Sequence, residues 1–106
     1  MKKPDLAPPA HLKTGGKKLW QEVTAKYELE AHHLRLLESA CGCWDRVTEA
    51  RAALRKDGAF VPDRFGQLKE HPAAKAERDN KILLMRLVRE LGLDLTTDEA
   101  PRARRY

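Results

Sequence analysis

Apolar residues recur along this chain at helical spacing in three separate stretches. Between about residues 17 and 28, Leu19, Trp20, Val23 and Tyr27 form one stripe, and Lys17, Lys18, Gln21, Thr24 and Glu28 fall on the other side. The spacing predicts a short amphipathic helix over about 17–28. The longest periodic stretch, about 31–57, gathers Leu34, Leu37, Ala40, Cys41, Trp44, Val47, Thr48 and Leu54 on one face at ~100° per residue. Arg35, Ser39, Gly42, Arg46, Glu49 and Ala53 lie opposite, and Arg51 and Arg55 intrude on the apolar arc near its end. Gly58 follows, a residue type that most often ends a helix in the left-handed conformation. A third helix is predicted over about 72–91, with Pro72 in its first turn, where a missing N–H costs nothing, and Gly92 as its stop. Its inner face collects Ala73, Ala76, Glu77, Asn80, Leu83, Leu84, Leu87, Val88 and Leu91. Ile82 and Met85 fall outside that face, among Lys75, Arg78, Arg86 and Arg89.

The connection between the two long helices holds the breakers Pro62 and Gly66. Phe60, Val61, Phe65 and Leu68 make it too apolar for an idle loop, so it either folds back onto the helices or forms a small hairpin. A connection of roughly 13 residues lets the helices pack antiparallel, with positions paired when their numbers sum to about 129. That register sets Trp44 beside Leu84 or Met85, Cys41 beside Val88, and Arg51 beside Glu77 and Asn80. The polar intrusions on the two apolar faces thus meet each other. The predicted fold is all-α: a short N-terminal helix packed on a long antiparallel two-helix hairpin, with Trp44 buried in the hairpin. Residues 1–15 contain Pro4, Pro8 and Pro9, close on Gly15-Gly16, and read as a flexible, Pro-rich basic arm. Residues 16–93 form the helical domain and 94–106 a polar basic tail.

Length and composition narrow the function. A chain of 106 residues is one domain with a modest core, and its two Trp, two Tyr and two Phe are few large anchors. Part of the apolar surface is therefore expected to be buried between subunits. The longest uncharged apolar run, Ile82–Met85, is far below the ~18 residues of a membrane span, and no secretory pattern opens the sequence. Neither membrane insertion nor secretion is expected. Two cysteines one residue apart make no disulfide framework, which suits a reducing cytoplasm. The net charge of +5 is unevenly spread. Lys2, Lys3, Lys13, Lys17 and Lys18 face only Asp5 in the first 18 residues, and Arg102, Arg104 and Arg105 close the chain. Between them the charges nearly balance. Basic ends suit a polyanion, because neutralised phosphates release counterions; charged termini also serve plain solubility.

Few residues are placed for chemistry. Cys41-Gly42-Cys43 with His32 and His33 has the residue types of a zinc site, but positions two apart on a helix diverge by ~200°, and structural zinc takes Cys-x₂₋₄-Cys spacing. Cys41 reads instead as a small core residue and the histidines as helix-start residues. Gly15-Gly16-Lys17-Lys18 departs from a Walker phosphate loop, because His11 stands where the first glycine belongs and Lys18 where Ser or Thr does. No nucleophile–base constellation has a strand or turn to present it, so an enzyme is not expected, nor is a metal or other cofactor. Helices one and two, with a turn near Leu29–Ala31, fit a helix-turn-helix whose Lys13, Lys17 and Lys18 meet the DNA backbone. They fit equally a bracket in which the first helix packs over the hairpin through Trp20. Ile82 and Met85 are the candidates for an intersubunit surface.

The landmarks together resemble a known family, the short terminase small subunits of tailed bacteriophages and prophages. Pro9-Ala10-His11-Leu12 precede a helix with Leu19-Trp20, and a long helix with Leu34, Leu37 and Asp45 ends at Gly58. Phe65-Gly66-Gln67-Leu68-Lys69-Glu70-His71-Pro72 follow, and Leu91-Gly92-Leu93 closes the last helix. In that family Thr-Pro and a nearby Arg usually come next; here Asp94-Leu95-Thr96-Thr97 intervene before Pro101-Arg102. The resemblance implies a non-enzymatic DNA-packaging factor of the bacterial host cytoplasm. Such a factor assembles as a homo-oligomeric ring, binds double-stranded viral DNA, and recruits or regulates the large subunit that holds the ATPase and nuclease. Lys13, Lys17 and Lys18, with Lys2 and Lys3, are then the expected DNA contacts. Ile82 and Met85 are the expected oligomer interface, and Arg102, Arg104 and Arg105 a second contact with DNA or partner. The competing reading is a helical-hairpin adaptor or regulator that binds only protein; steep salt dependence would distinguish phosphate binding from it.

Overall fold

The computed structural model describes residues 6–93. It contains α1 (Thr14–Lys26), α2 (Ala31–Asp57), β1 (Phe60–Pro62), β2 (Leu68–Glu70) and α3 (Pro72–Leu91). Helices α2 and α3 form the predicted antiparallel hairpin, and α1 packs on α2. The expected register is seen in the polar pairs: Arg51 Nε donates to Glu77 Oε2 at 2.8 Å, and His71 Nε2 lies 2.9 Å from Asp57 Oδ2. Asn80 Oδ1 takes its hydrogen bond from Arg46 Nε at 2.8 Å.

The core lies at one end of this rod. Leu12, Trp20, Val23, Leu37 and Cys41 form its centre, with Leu34, Leu91 and Leu93 packed around them. Leu37 is fully buried, which contributes about 1.5–3 kcal/mol for a side chain of its kind. Trp20 is only 5% exposed, and its indole N–H donates to the Leu6 carbonyl at 3.2 Å, so its polar edge is satisfied at little cost. Here α1 is the bracket over the hairpin. Toward the other end, α2 and α3 continue as a two-helix stalk, sealed by Val47 and Ala50 from α2. At ~1.5 Å per residue, α2 spans about 40 Å. None of the residues of α3 is buried.

Several expectations are corrected. The arm is packed from Leu6 onward: Leu12 is 3% exposed, and α1 begins at Thr14 and ends at Lys26 instead of spanning about 17–28. Burying Leu6 and Leu12 outweighs the Pro-rich composition, because both seal the core beside Trp20. Gly15 and Gly16 therefore sit in the first turn of α1, not in a linker. Trp44 is half-buried, and Leu83, Ala76 and Thr48 are exposed, because α3 covers only part of α2. Cys43, assigned to no face, is fully buried. One apolar stripe was the wrong template for a helix covered by α1 on one side and α3 on another. Gly58 ends α2 at φ 88°, ψ 160°, a region open to glycine but outside the left-handed helical one.

The connection resolves as an antiparallel hairpin pairing Phe60 with Glu70 and Pro62 with Leu68. Asp63 builds its turn, its Oδ1 accepting from the N–H groups of Phe65 (2.8 Å) and Gln67 (2.9 Å). Polar contacts hold its base: Ala59 O accepts from His71 N–H at 2.8 Å, and Arg78 Nη1 donates to Glu70 Oε2 at 2.8 Å. Phe60, Phe65 and Leu68 stay exposed, so the hairpin does not fold back onto the helices.

Candidate nucleic-acid and assembly surfaces

The start of α1 is organised from a distance. Lys13 occupies the N-cap position and makes no side-chain cap of its own. Buried Asp45 of α2 supplies one instead: its Oδ2 accepts from Lys13 N–H and its Oδ1 from Gly16 N–H, each at 2.7 Å. A carboxylate there satisfies two amides that have no partner inside the helix and complements its positive end. The contact demands glycine, since a Cβ on Gly16 would sit 2.5 Å from Asp45 Oδ2 and 2.9 Å from the Cys41 carbonyl oxygen. A helix start of this kind is a natural phosphate site, but here the anion comes from the protein itself.

Asp45 thereby sets where the three basic residues stand. Lys17 and Lys18 are exposed in the first turns of α1. Lys13 is exposed as well, with its Nζ 3.3 Å from Glu49 Oε2 on α2. Lys2, Lys3, Arg102, Arg104 and Arg105 lie outside the described residues. The sequence places Arg86 and Arg89 on an outer face and gives them no role; the structure leaves both exposed along α3, with Lys81 exposed beside them.

Apolar exposure is concentrated on α3 and the hairpin. Ile82 is 52% and Met85 62% exposed, as their positions off the inner face predict, and Leu83 joins them. Leu84, Met85, Val88, Arg89 and Leu93 line a shallow depression. Leu84 also lines a cleft of about 370 Å³ whose other walls are Trp44, Leu19 and Gly15, with Lys18 and Glu22 at its edge. The helical wheel alone could not show that cleft, because it needs α1 and α3 on the same side of Trp44.

The remaining candidates lie on α2 and at its start. Cys41 and Cys43 are both buried, and burial, reinforced by the charges of Asp45 and Glu38, pushes the Cys41 thiol up to about 12. His32 and His33 stack with ring centroids 4.0 Å apart. Their ligand atoms and a Glu30 carboxylate oxygen lie within 4.8 Å of one another. Glu30 and His33 are engaged in a reciprocal capping box at the start of α2, Glu30 N–H donating to His33 Nδ1 at 3.4 Å. That is a helix-start role of the kind the sequence suggests.

The fold is that of a small helical protein: a short helix packed on a long helical hairpin, with apolar side chains exposed along α3 and on the β-hairpin. The family model for the phage terminase small subunit matches residues 16–103, and the chain belongs to that family. Neither the comparison with curated proteins nor that with solved structures returns a match. Family membership associates the chain with phage DNA packaging. Among the described residues no helix is long and apolar enough to cross a membrane.

Proposed function

We propose that this protein is a DNA-packaging factor without catalytic machinery of its own. It assembles into a closed homo-oligomer, binds double-stranded viral DNA, and recruits or regulates the large ATPase and nuclease subunit in the host cytoplasm. The observation that carries the reading is the family match over residues 16–103. Two structural features support it. Helix α3 has no buried residue and exposes Ile82 and Met85, which suits a helix completed by a neighbouring copy. Lys17 and Lys18 are exposed beside Lys13 at the start of α1, where lysines contact phosphates as independent point charges.

The DNA site is tested by titrating duplex DNA against wild type, a Lys13→Gln/Lys17→Gln/Lys18→Gln variant, and a chain truncated after Thr97. The triple variant is expected to bind more weakly across unrelated sequences and with a flatter salt dependence, at unchanged oligomeric state. Loss only on truncation would move the site to Arg102, Arg104 and Arg105. Wild type that binds no DNA at low salt would favour the protein-only adaptor.

A further inference from the structure

The most exposed large apolar side chain of the described residues is Phe65, at 79%, on the turn of the β1–β2 hairpin. Arg64 stands over its ring, with the guanidinium carbon 5.6 Å from the ring centroid. An isolated two-stranded hairpin is marginal in water, and this one is tied to the helices by polar contacts at its base. Beyond its contact with Arg64, an exposed aromatic at its tip adds little to the stability of the lone chain. The structure also contains an unfilled counterpart, the cleft over Trp44 between Leu19 of α1 and Leu84 of α3. Its volume of about 370 Å³ is ample for a phenyl ring; Lys18 and Glu22 both line it, and of the two Glu22 offers a charge opposite to that of Arg64.

The tip does not occupy the cleft of its own chain: Phe65 is exposed, and no residue of the hairpin lines the cleft. Leu84 lies twelve residues from Pro72, or about 18 Å along α3, and Trp44 is a similar distance from the end of α2. His71–Asp57 and Glu70–Arg78 pin the hairpin at the far end of the stalk. A projecting knob and a separate socket on one chain make a head-to-tail contact, the kind that builds a ring when its rotation closes. The cleft adjoins the depression lined by Met85 and Val88 through the shared Leu84, so a docked tip would lie against the α3 surface already assigned to assembly.

We infer that the hairpin turn of one copy docks into the cleft of the next, Phe65 seated on Trp44, Leu19 and Leu84 and Arg64 facing Glu22. This inference rests on the homo-oligomer reading above and specifies its contact. The test measures the mass of the full-length protein against concentration, with helicity as a folding control. Phe65→Ser is expected to weaken association roughly 30-fold or more, as for loss of a central aromatic anchor. Arg64→Glu and Glu22→Arg, both surface changes, are each expected to weaken it about tenfold, and the double reversal to restore it to within about threefold. An assembled wild type with Phe65→Ser assembling equally well, or with no restoration by the double reversal, would overturn the docking contact and leave the oligomer standing. A wild type monomeric at high concentration would overturn the oligomer reading itself, and this contact with it.

Discussion

Asp45 is the residue on which the most structure depends. Replacing it with Ala removes the acceptor for two backbone N–H groups, the buried one of Gly16 and the part-buried one of Lys13. That change is expected to cost roughly 2–4 kcal/mol and to loosen α1 before α2 and α3, since an unmade buried hydrogen bond costs ~1–3 kcal/mol. Denaturant unfolding with amide exchange on α1 checks both parts. Gly16→Ala should act in the same direction, because its Cβ meets the Asp45 carboxylate and the Cys41 backbone, which has little room to yield. Cys41 gives a pH-dependent expectation. Its thiol stays protonated in the folded chain up to about 12, whereas in the unfolded chain it ionises near ~8.5. The unfolded state therefore releases a proton first as pH rises, so stability present below that range is lost above it. Unfolding of wild type compared with Cys41→Ala between neutral pH and pH ~10 should show a steeper alkaline loss in wild type.

Among the elements, the α2–α3 pair adds polar matching at its exposed edges to the apolar burial of Val47 and Ala50. Arg51 donates to Glu77, and this bond holds the Glu77 carboxyl below the usual carboxylate range, with Lys81 and the Arg51 charge acting in the same direction. Glu77 is thus expected to contribute stability present above the unfolded carboxylate range, near ~4.3, and lost as pH falls through its lower folded value. A double-mutant cycle on Arg51 and Glu77 should show coupling that shrinks with added salt, because the Arg51 side chain is 44% exposed. Arg51 also lies 5.7 Å over the Trp44 ring, so substituting it alone disturbs two contacts. Trp44→Ala should cost less than the ~3–5 kcal/mol of a fully buried Trp, since one of its sides faces the open cleft.

For the whole molecule, a core confined to one end leaves a stalk whose stability and function both look outward. Charged replacements at Ile82 and Met85 are expected to shift the native mass toward monomer while helicity survives, because neither side chain supports the core. If DNA is held by several weak lysine contacts, the same variants should also lose DNA affinity without any change at Lys13, Lys17 or Lys18. Linked weak sites gain their affinity from assembly. Salt-dependent DNA binding by a strictly monomeric variant, as tight as wild type, would break that link.

The pattern of the sequence alone determined much of this protein. The bounds of the two long helices, their antiparallel register, the Arg51–Glu77 meeting and the outward placement of Ile82 and Met85 all follow from helical periodicity, which is local and repeats over many residues. Tertiary structure decided the rest. Gly15-Gly16 resembles a linker until Asp45, 29 residues beyond Gly16, is brought against it. Leu12 resembles part of an arm until Trp20 and Leu37 give it something to pack on. Cys43, which periodicity assigns to no face, is buried and Leu83, on the expected inner face, is exposed, because α2 is covered on two sides and α3 on one. The cleft beside Trp44 belongs to no segment, since its walls come from three helices. Periodicity reports which face of a helix is apolar; only the packing of other helices settles how much of that face is covered.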